Sequence, residues 1–199
     1  MTEREKKMLV SKDEYDYLME QLGYALPKIK KPIIRQINYY FDTEDLAMNQ
    51  NHITCRIRLK NGHYKGIIKR HFPDTDRSTE TEIKIYDGIE ENTFTDMGLQ
   101  LQGYLITERC ILFKDTNYEV VLDKNEYLGY IDYEIEIEYS SEYEGKAAGT
   151  LQVFDSMLKK RKNAPSFKKN HTNLTNVLSK SSRFFARKQL LKNNLNRFQ

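Results

Sequence analysis

Tyr133-Glu134-Ile135-Glu136-Ile137-Glu138-Tyr139 alternates carboxylate and apolar side chains without a break. A β-strand sends successive side chains to opposite faces, so Glu134, Glu136 and Glu138 stand on one face about 7 Å apart. The other face carries Tyr133, Ile135, Ile137 and Tyr139, so one side of the strand is oily and the other ionic. Charges at every second position recur along the chain, in Glu3-x-Glu5-x-Lys7, in Arg56-x-Arg58 and in Glu80-x-Glu82-x-Lys84. Around the two arginines, Ile53, Cys55, Ile57 and Leu59 fill the alternate positions.

A strand with one ionic face is usually a strand with one wet face. What argues for more is that sign is sorted by strand. Like charges side by side repel by a few tenths of a kcal/mol or more, so stability alone favours mixed signs. Acid gathered on some strands and base on others suits a site that binds both cations and a polyanion.

Outward from these segments, the elements follow from local signals. Ser11-Lys-Asp-Glu14 has the capping-box form, and Tyr15, Leu18, Met19 and Leu22 continue it as a short helix to Gly23. Ile33 to Phe41 reads as a strand ended by Asp42-Thr-Glu-Asp45. Asn61-Gly62 joins the Arg56 strand to the strand His63–Arg70 as a hairpin. Strands follow at Thr79–Ile85, Leu105–Phe113 and Tyr118–Asp123, with a brief helical connection over Ile89–Met97, and Gly129 opens the last, most acidic strand. From Glu142 the period turns helical, with Ala147, Leu151, Phe154 and Leu158 on one face. Past Pro165, two further short helices are expected, around Leu174, Val177 and Leu178 and around Phe184, Phe185, Leu190 and Leu191.

At 199 residues the chain suits a single domain over 1–199, with 142–199 as C-terminal helices and a basic tail. No apolar run is long enough to span a bilayer and the N-terminus lacks a signal-peptide core, so a cytoplasmic protein without membrane insertion is expected. Cys55 and Cys110 fall on apolar strand faces as buried free thiols. The net charge of +3 hides an asymmetry, because from Ser156 onward there are 12 basic residues and no acid. A basic helix laid against an acidic body accounts for that tail; nucleic acid binding is not expected, and the chain is read as a monomer or dimer.

About eight strands with covering helices place the fold as mostly β (α+β). Eight strands can close into an antiparallel barrel just wide enough for side chains or one small ligand. With the ionic faces inward, Glu3 and Glu5 of the first strand meet Glu134 and Glu136 of the last across the closure. Such acids, with no His or Cys at ligand spacing, are hard oxygen donors suited to Mg or Mn. Arg56, Arg58, Lys69 and Arg109 opposite them supply forks and point charges for phosphate oxygens. Metal plus cations around a phosphate is what phosphoryl transfer needs.

At these residues the chain resembles the CYTH superfamily, the adenylate cyclase and thiamine triphosphatase relatives also called triphosphate tunnel metalloenzymes. Glu3-x-Glu5-x-Lys7 is similar to that family's opening motif, Gln36 to Thr43 to its second strand, and Arg56-Ile-Arg58 to its paired arginines. Ile67-Ile-Lys69, Glu80-Thr-Glu82, Arg109, Asp123 and Glu134-Ile-Glu136 follow in the family's order, and the likeness runs from residue 1 to about 160. The resemblance implies a charged tunnel in which Glu3, Glu5, Glu134 and Glu136 hold metal, helped by Asp123, Glu80 and Glu82. Lys7, Arg56, Arg58, Arg109 and either Lys65 or Lys69 would grip phosphate, with Lys69 the better fit. Lys180 and Arg183 in Ser179-Lys-Ser-Ser-Arg-Phe-Phe185 are further phosphate candidates, while Glu3, Glu5, Lys7, Arg56, Arg58 and Glu136 form the catalytic set.

The resemblance thus implies metal-dependent hydrolysis of the terminal phosphate of a short linear polyphosphate, inorganic triphosphate before others. Thiamine triphosphatase, adenylate cyclase and a non-catalytic polyphosphate or nucleotide binding module are the alternatives. His52, His63, His71 and His171 show no ligand spacing and receive no role.

Overall fold

The structure, a computed structural model, describes residues 2–25, 33–73, 75–85, 89, 93–162 and 177–195. Eight antiparallel strands close into a barrel: β1 (Thr2–Val10), β2 (Ile33–Asp42), β3 (Ile53–Lys60), β4 (His63–His71), β5 (Arg77–Ile83), β6 (Gln100–Lys114), β7 (Tyr118–Tyr127) and β8 (Tyr130–Tyr139). Around the ring they run β1-β5-β4-β3-β2-β6-β7-β8. Two meanders, β2 to β5 and β6 to β8, join where β2 pairs β6, and β1 closes the ring between β5 and β8. The closed eight-stranded barrel expected from the alternation is therefore what the chain forms.

The Asn61-Gly62 turn has φ of 52° and 78°, the two left-handed residues that a tight hairpin between twisted strands requires. Register then decides which charges become neighbours. Glu5 lies opposite Glu138, Lys7 opposite Glu136, Leu9 opposite Glu134, and Arg109 opposite Asp123.

The outward faces are apolar and covered by helices. Met8, Val10, Leu122, Ile135 and Ile137 pack beneath Leu18 of α1 (Lys12–Ala25) and Ala147, Leu151, Phe154 and Leu158 of a long helix, Glu144–Lys162. α1 starts with the expected reciprocal cap: Ser11 N–H donates to Glu14 Oε2 at 2.7 Å and Glu14 N–H to Ser11 Oγ at 3.3 Å. Two one-turn helices, α2 (Ala47–Gln50) and α3 (Thr93–Asp96), cap the other side, where Phe94 stacks on Phe41 at 5.3 Å over Cys55 and Ile57. Asp42, read only as a strand end, also caps α2 by accepting the Met48 and Asn49 amides, both at 2.9 Å.

With Glu144–Lys162 as α4, the last helix is α5 (Lys180–Leu195). It is a single helix, and Val177 and Leu178 precede it in non-helical backbone; Pro165 and Leu174 lie outside the described residues. α5 does not lie on the outside of the barrel. Phe184 and Phe185 pack against Tyr40, Leu105 and Tyr127, which share the inward register with the charged positions, and so fill one end of the bore. Gly103 (φ 137°) makes room for them, since a Cβ there would stand 2.9 Å from the Phe184 ring. Phe184→Ala should cost about 3–5 kcal/mol. Urea unfolding reads this directly, and a loss below about 1 kcal/mol would show that α5 is not part of the core.

Candidate functional site

Inside the ring a cavity of about 80 Å³ is lined by Lys7, Arg56, Arg58, Lys69, Arg109 and Lys180 and by Glu3, Glu5, Glu80, Glu136 and Glu138, with Gln36, Asn38, Thr54, His71, Ser179 and Ser181 between them. The cations and acids fall into three groups. On the β1, β4 and β5 side, Lys69 Nζ donates to Glu3 Oε2 at 3.0 Å and lies 3.4 Å from Glu80, while Lys7 Nζ donates to Glu5 Oε1 at 2.8 Å. Arg56 donates to Glu80 at 2.8 Å. Burial opposes ionisation of Glu5, but Lys7 and Lys69 outweigh it and hold its carboxyl at about 2.

Deeper in the bore, on β6, β7 and β8, Arg109 grips Asp123 with both arms of its fork, at 2.9 and 2.8 Å, and donates to Glu136 at 2.8 Å. One oxygen each from Asp123, Glu134 and Glu136 lies within 4.8 Å of the others, a spacing that could hold a metal ion. The ammonium of Lys180 sits among them, 2.9 Å from Asp123 and 2.6 Å from Glu136, and is bonded to Glu134 as well. Arg183 takes the remaining oxygen of Glu134 at 2.9 Å and Asp132 at 2.8 Å. Burial would favour the neutral acids, but Lys180 foremost keeps Glu134 and Glu136 ionised below the usual range.

The third group is unbalanced. Arg58 donates from Nε to Asn38 Oδ1 at 3.1 Å, and among the described residues it has no carboxylate within 4.0 Å. Burial and neighbouring Arg56 lower its pKa to about 10. Glu138, beside Glu5 in register, is under the opposite stress: burial in the wall, then Glu136, push its carboxyl up to about 7, although 41 % of the side chain remains exposed. The lumen therefore holds a cation without an acid among the described residues, and an acid that other acids crowd although Arg109 Nη1 lies 3.6 Å from it.

The Glu138 stress has a measurable sign. A carboxyl whose pKa is higher folded than unfolded weakens the fold as pH rises from the unfolded value of 4.5 through about 7. Glu138→Gln should therefore stabilise the metal-free protein at pH 8, by on the order of 1 kcal/mol after solvent screening, and change little at pH 4. Equal melting temperatures for the two proteins at pH 8 would contradict the like-charge crowding.

Of the residues singled out by sequence, Glu3, Glu5, Lys7, Arg56, Arg58, Lys69, Glu80, Arg109, Glu136 and Lys180 line this cavity. Asp123, Glu134 and Arg183 adjoin it through their ion pairs. Lys65 and Glu82 are not brought in: they pair with each other at 2.7 Å, 50 % and 64 % exposed, near the Asn61-Gly62 hairpin. Seven lining residues were not assigned from sequence: Gln36, Asn38, Thr54, His71, Glu138, Ser179 and Ser181. Glu138 was legible in the alternation but received no role, Asn38 positions Arg58, and His71 borders the cavity with Nε2 buried and without a hydrogen bond. Burial, then Lys69, lowers the His71 pKa to about 4, so the ring is neutral near pH 7.

The family description "CYTH domain" matches residues 1–169. The chain is 31 % identical over 178 residues to "Putative triphosphatase YjbK" of Bacillus subtilis, covering 81 % of this chain and 90 % of that protein. A crystal structure titled as a "putative adenylate cyclase" from Bacillus halodurans superposes with a TM-score of 0.60 at 26 % identity, over 92 % of this chain and 97 % of the other. The Hippeastrum protein HpAC1 shares the fold, with a TM-score of 0.59 at 17 % identity over 94 % and 95 % of the two chains. A charged lumen in a closed eight-stranded barrel and a family match over most of the sequence agree: the chain belongs to the CYTH domain family.

Proposed function

We propose that this chain is a divalent-metal-dependent hydrolase that removes the terminal phosphate of a short linear polyphosphate, with inorganic triphosphate the preferred substrate. The observation that carries this reading is the imbalance inside the lumen. Arg58 lacks an acid and Glu138 is crowded by acids, so the enclosed space favours an anion at one wall and a cation at another. The name of the Bacillus subtilis relative, a triphosphatase, supports the same reaction class.

Asp123, Glu134 and Glu136, whose oxygens lie within 4.8 Å of one another, enclose the Lys180 ammonium, whereas Glu3, Glu5, Glu136 and Glu138 line the cavity with oxygen donors of the type that suits Mg or Mn, and the crowding at Glu138 asks for such a charge. A bound ion there would supply a water of lowered pKa and neutralise phosphate charge. The protein's own side chains do the rest. Arg56 and Arg58 present N–H forks to phosphate oxygens and favour the charge that gathers on the leaving pyrophosphate. Lys7 and Lys69, each already beside a carboxylate, bridge the acid wall and the phosphate path. Asp123 aims Arg109 through two bonds, and Glu80 holds Arg56 and Lys69 in place. Glu134, engaged by Lys180 and Arg183, acts in this reading as an anchor for α5, while Glu138 takes the place beside Glu5.

Phosphate release from inorganic triphosphate, thiamine triphosphate and ATP, with Mg or Mn and again after chelation, tests the reading. Release should be largest for inorganic triphosphate and should disappear with chelator. Turnover that survives chelation would remove the metal, and tight binding without turnover would make the barrel a binding module. Cyclic product from ATP would place the chain with the cyclases instead.

A further inference from the structure

The barrel wall is not equally complete along its length. β1 pairs β8 from Arg4 to Val10, but it pairs β5 only from Thr2 to Arg4. One further bond, from the Glu5 N–H to the Asp76 carbonyl at 3.0 Å, ends that contact. Past Glu5 the β5-facing edge of β1 has no strand partner among the described residues, because β4 stops at His71 and β5 begins at Arg77. At the end of the bore away from the Asn61-Gly62 hairpin, side chains rather than a ladder therefore close the gap between β1 and the β4–β5 turn.

Outside that gap lies a second cavity of about 850 Å³, bounded by β1, the β4–β5 turn, α4 and the approach to α5. Glu5, Lys7, His71 and Ser179 line both this cavity and the lumen, so these four residues are the partition between the two spaces. His71 is its weak point. The ring is neutral near pH 7 and its buried Nε2 makes no hydrogen bond, so turning the ring breaks no bond at that nitrogen and moves no charge. Beyond the partition the outer cavity carries more base than acid. Arg4 and Lys6 share Asp76 and Glu144 at 3.3 to 4.0 Å, while Arg77 has no carboxylate within 4.0 Å among the described residues. Three cations against two acids favour a small anion on that side.

In the triphosphatase reading, water adds to the terminal phosphorus, the bond to the bridging oxygen breaks, and its electron pair leaves with pyrophosphate. Glu5 and Lys7 stand at the partition, whereas Arg58 lies opposite Lys65, toward the hairpin and the mouth. Orthophosphate formed beside Glu5 and Lys7 then has pyrophosphate between it and the mouth, and Phe184 and Phe185 fill the far end. A bore with one opening would have to release pyrophosphate first.

We infer that the outer cavity is a lateral exit for the orthophosphate product, which passes the side chains of Glu5, Lys7 and His71 and is drawn out by Arg4, Lys6 and Arg77. This exit rests on the triphosphatase reading and adds to it a second route through the barrel wall, independent of pyrophosphate release.

Thr75, exposed on the outer cavity and without a part in the proposed chemistry, is the place to block the route. Thr75→Cys is converted either to its methyl disulfide or to its fluorescein maleimide adduct, the small group controlling for the lost threonine hydroxyl. Cys55 and Cys110, 1 % and 4 % exposed, should remain unlabelled by mass spectrometry. Rapid quench reads triphosphate cleavage in the first turnover, and a fluorescent phosphate-binding protein reads orthophosphate release. Cleavage should agree within about twofold in the two labelled forms, while the fluorescein adduct should slow orthophosphate release at least about 10-fold, so that it no longer precedes pyrophosphate. The methyl disulfide form should release orthophosphate first, as the wild type does. Unchanged release behind the large adduct, or equal slowing by both labels, would overturn the exit and leave the function standing. A wild type that cleaves no triphosphate would overturn the function itself and the exit with it.

Discussion

Glu5→Gln is expected to lower phosphate release from inorganic triphosphate by about 10³-fold or more, while the protein remains folded. Glu5 is held in its charged form by Lys7 at 2.8 Å and Lys69 at 3.7 Å. Gln fills the same volume but cannot neutralise a metal ion. The fold should tolerate the change because Lys7 still has Glu136, and Lys69 still has Glu3 and Glu80. Steady-state rates paired with a thermal melt decide the point. A variant that melts like the wild type and retains more than about a tenth of its rate would leave the β1 carboxylates without a part in the chemistry.

Arg109→Met should be the most destabilising single change in the lumen, costing about 3–5 kcal/mol. Its guanidinium makes two bonds to Asp123, which is fully buried, and a third to Glu136. Removing it leaves Asp123 with Lys180 and Glu136 with Lys180 and Lys7, so the penalty is the desolvation of buried charge that is no longer fully matched. For a chain of this size such a loss corresponds to a fall of about 6–20 °C in melting temperature. A drop of under about 2 °C would mean that the buried acids take up protons or solvent without difficulty. Asp123→Asn combined with Arg109→Met should recover part of the loss, since one of the stranded charges is then gone.

Much of the barrel was legible because one physical rule, alternation, governs every strand. Tyr133–Tyr139 and Ile53–Lys60 each show an ionic and an oily face, and burial of both is possible only if the sheet closes and helices cover its outside. What alternation could not convey is where along each strand the inner face stops being ionic. Tyr40 follows Gln36 and Asn38 in the inward register, Leu105 precedes Thr107 and Arg109, and Tyr127 follows Asp123 and Asn125. Only their assembly with Phe184 and Phe185 marks them as the seal of one end. The placement of α5 depends on contacts with residues more than forty positions away, and no local period encodes those.

The same limit applies to the candidate site. Alternation offers Glu134, Glu136 and Glu138 on equal terms, and only pairing with β1 distinguishes the glutamate beside Glu5 from the one beside Leu9. Lys65 and Lys69 share a face of β4, yet Lys65 sits near the hairpin turn and Lys69 stands opposite Thr54, among Glu3, Glu5 and Glu80. Residue type and parity are local properties, whereas depth along a barrel is a property of register.

The division of strands such as β3 and β8 into a charged and an apolar side also guards the folding reaction. If any strand docked one residue out of step, its arginines or glutamates would be pressed into the greasy layer beneath α1 and α4, and its isoleucines would face the ionic bore. Each misalignment is penalised twice over, so the side chains arranged to receive a substrate also proofread the assembly of the hoop that holds them.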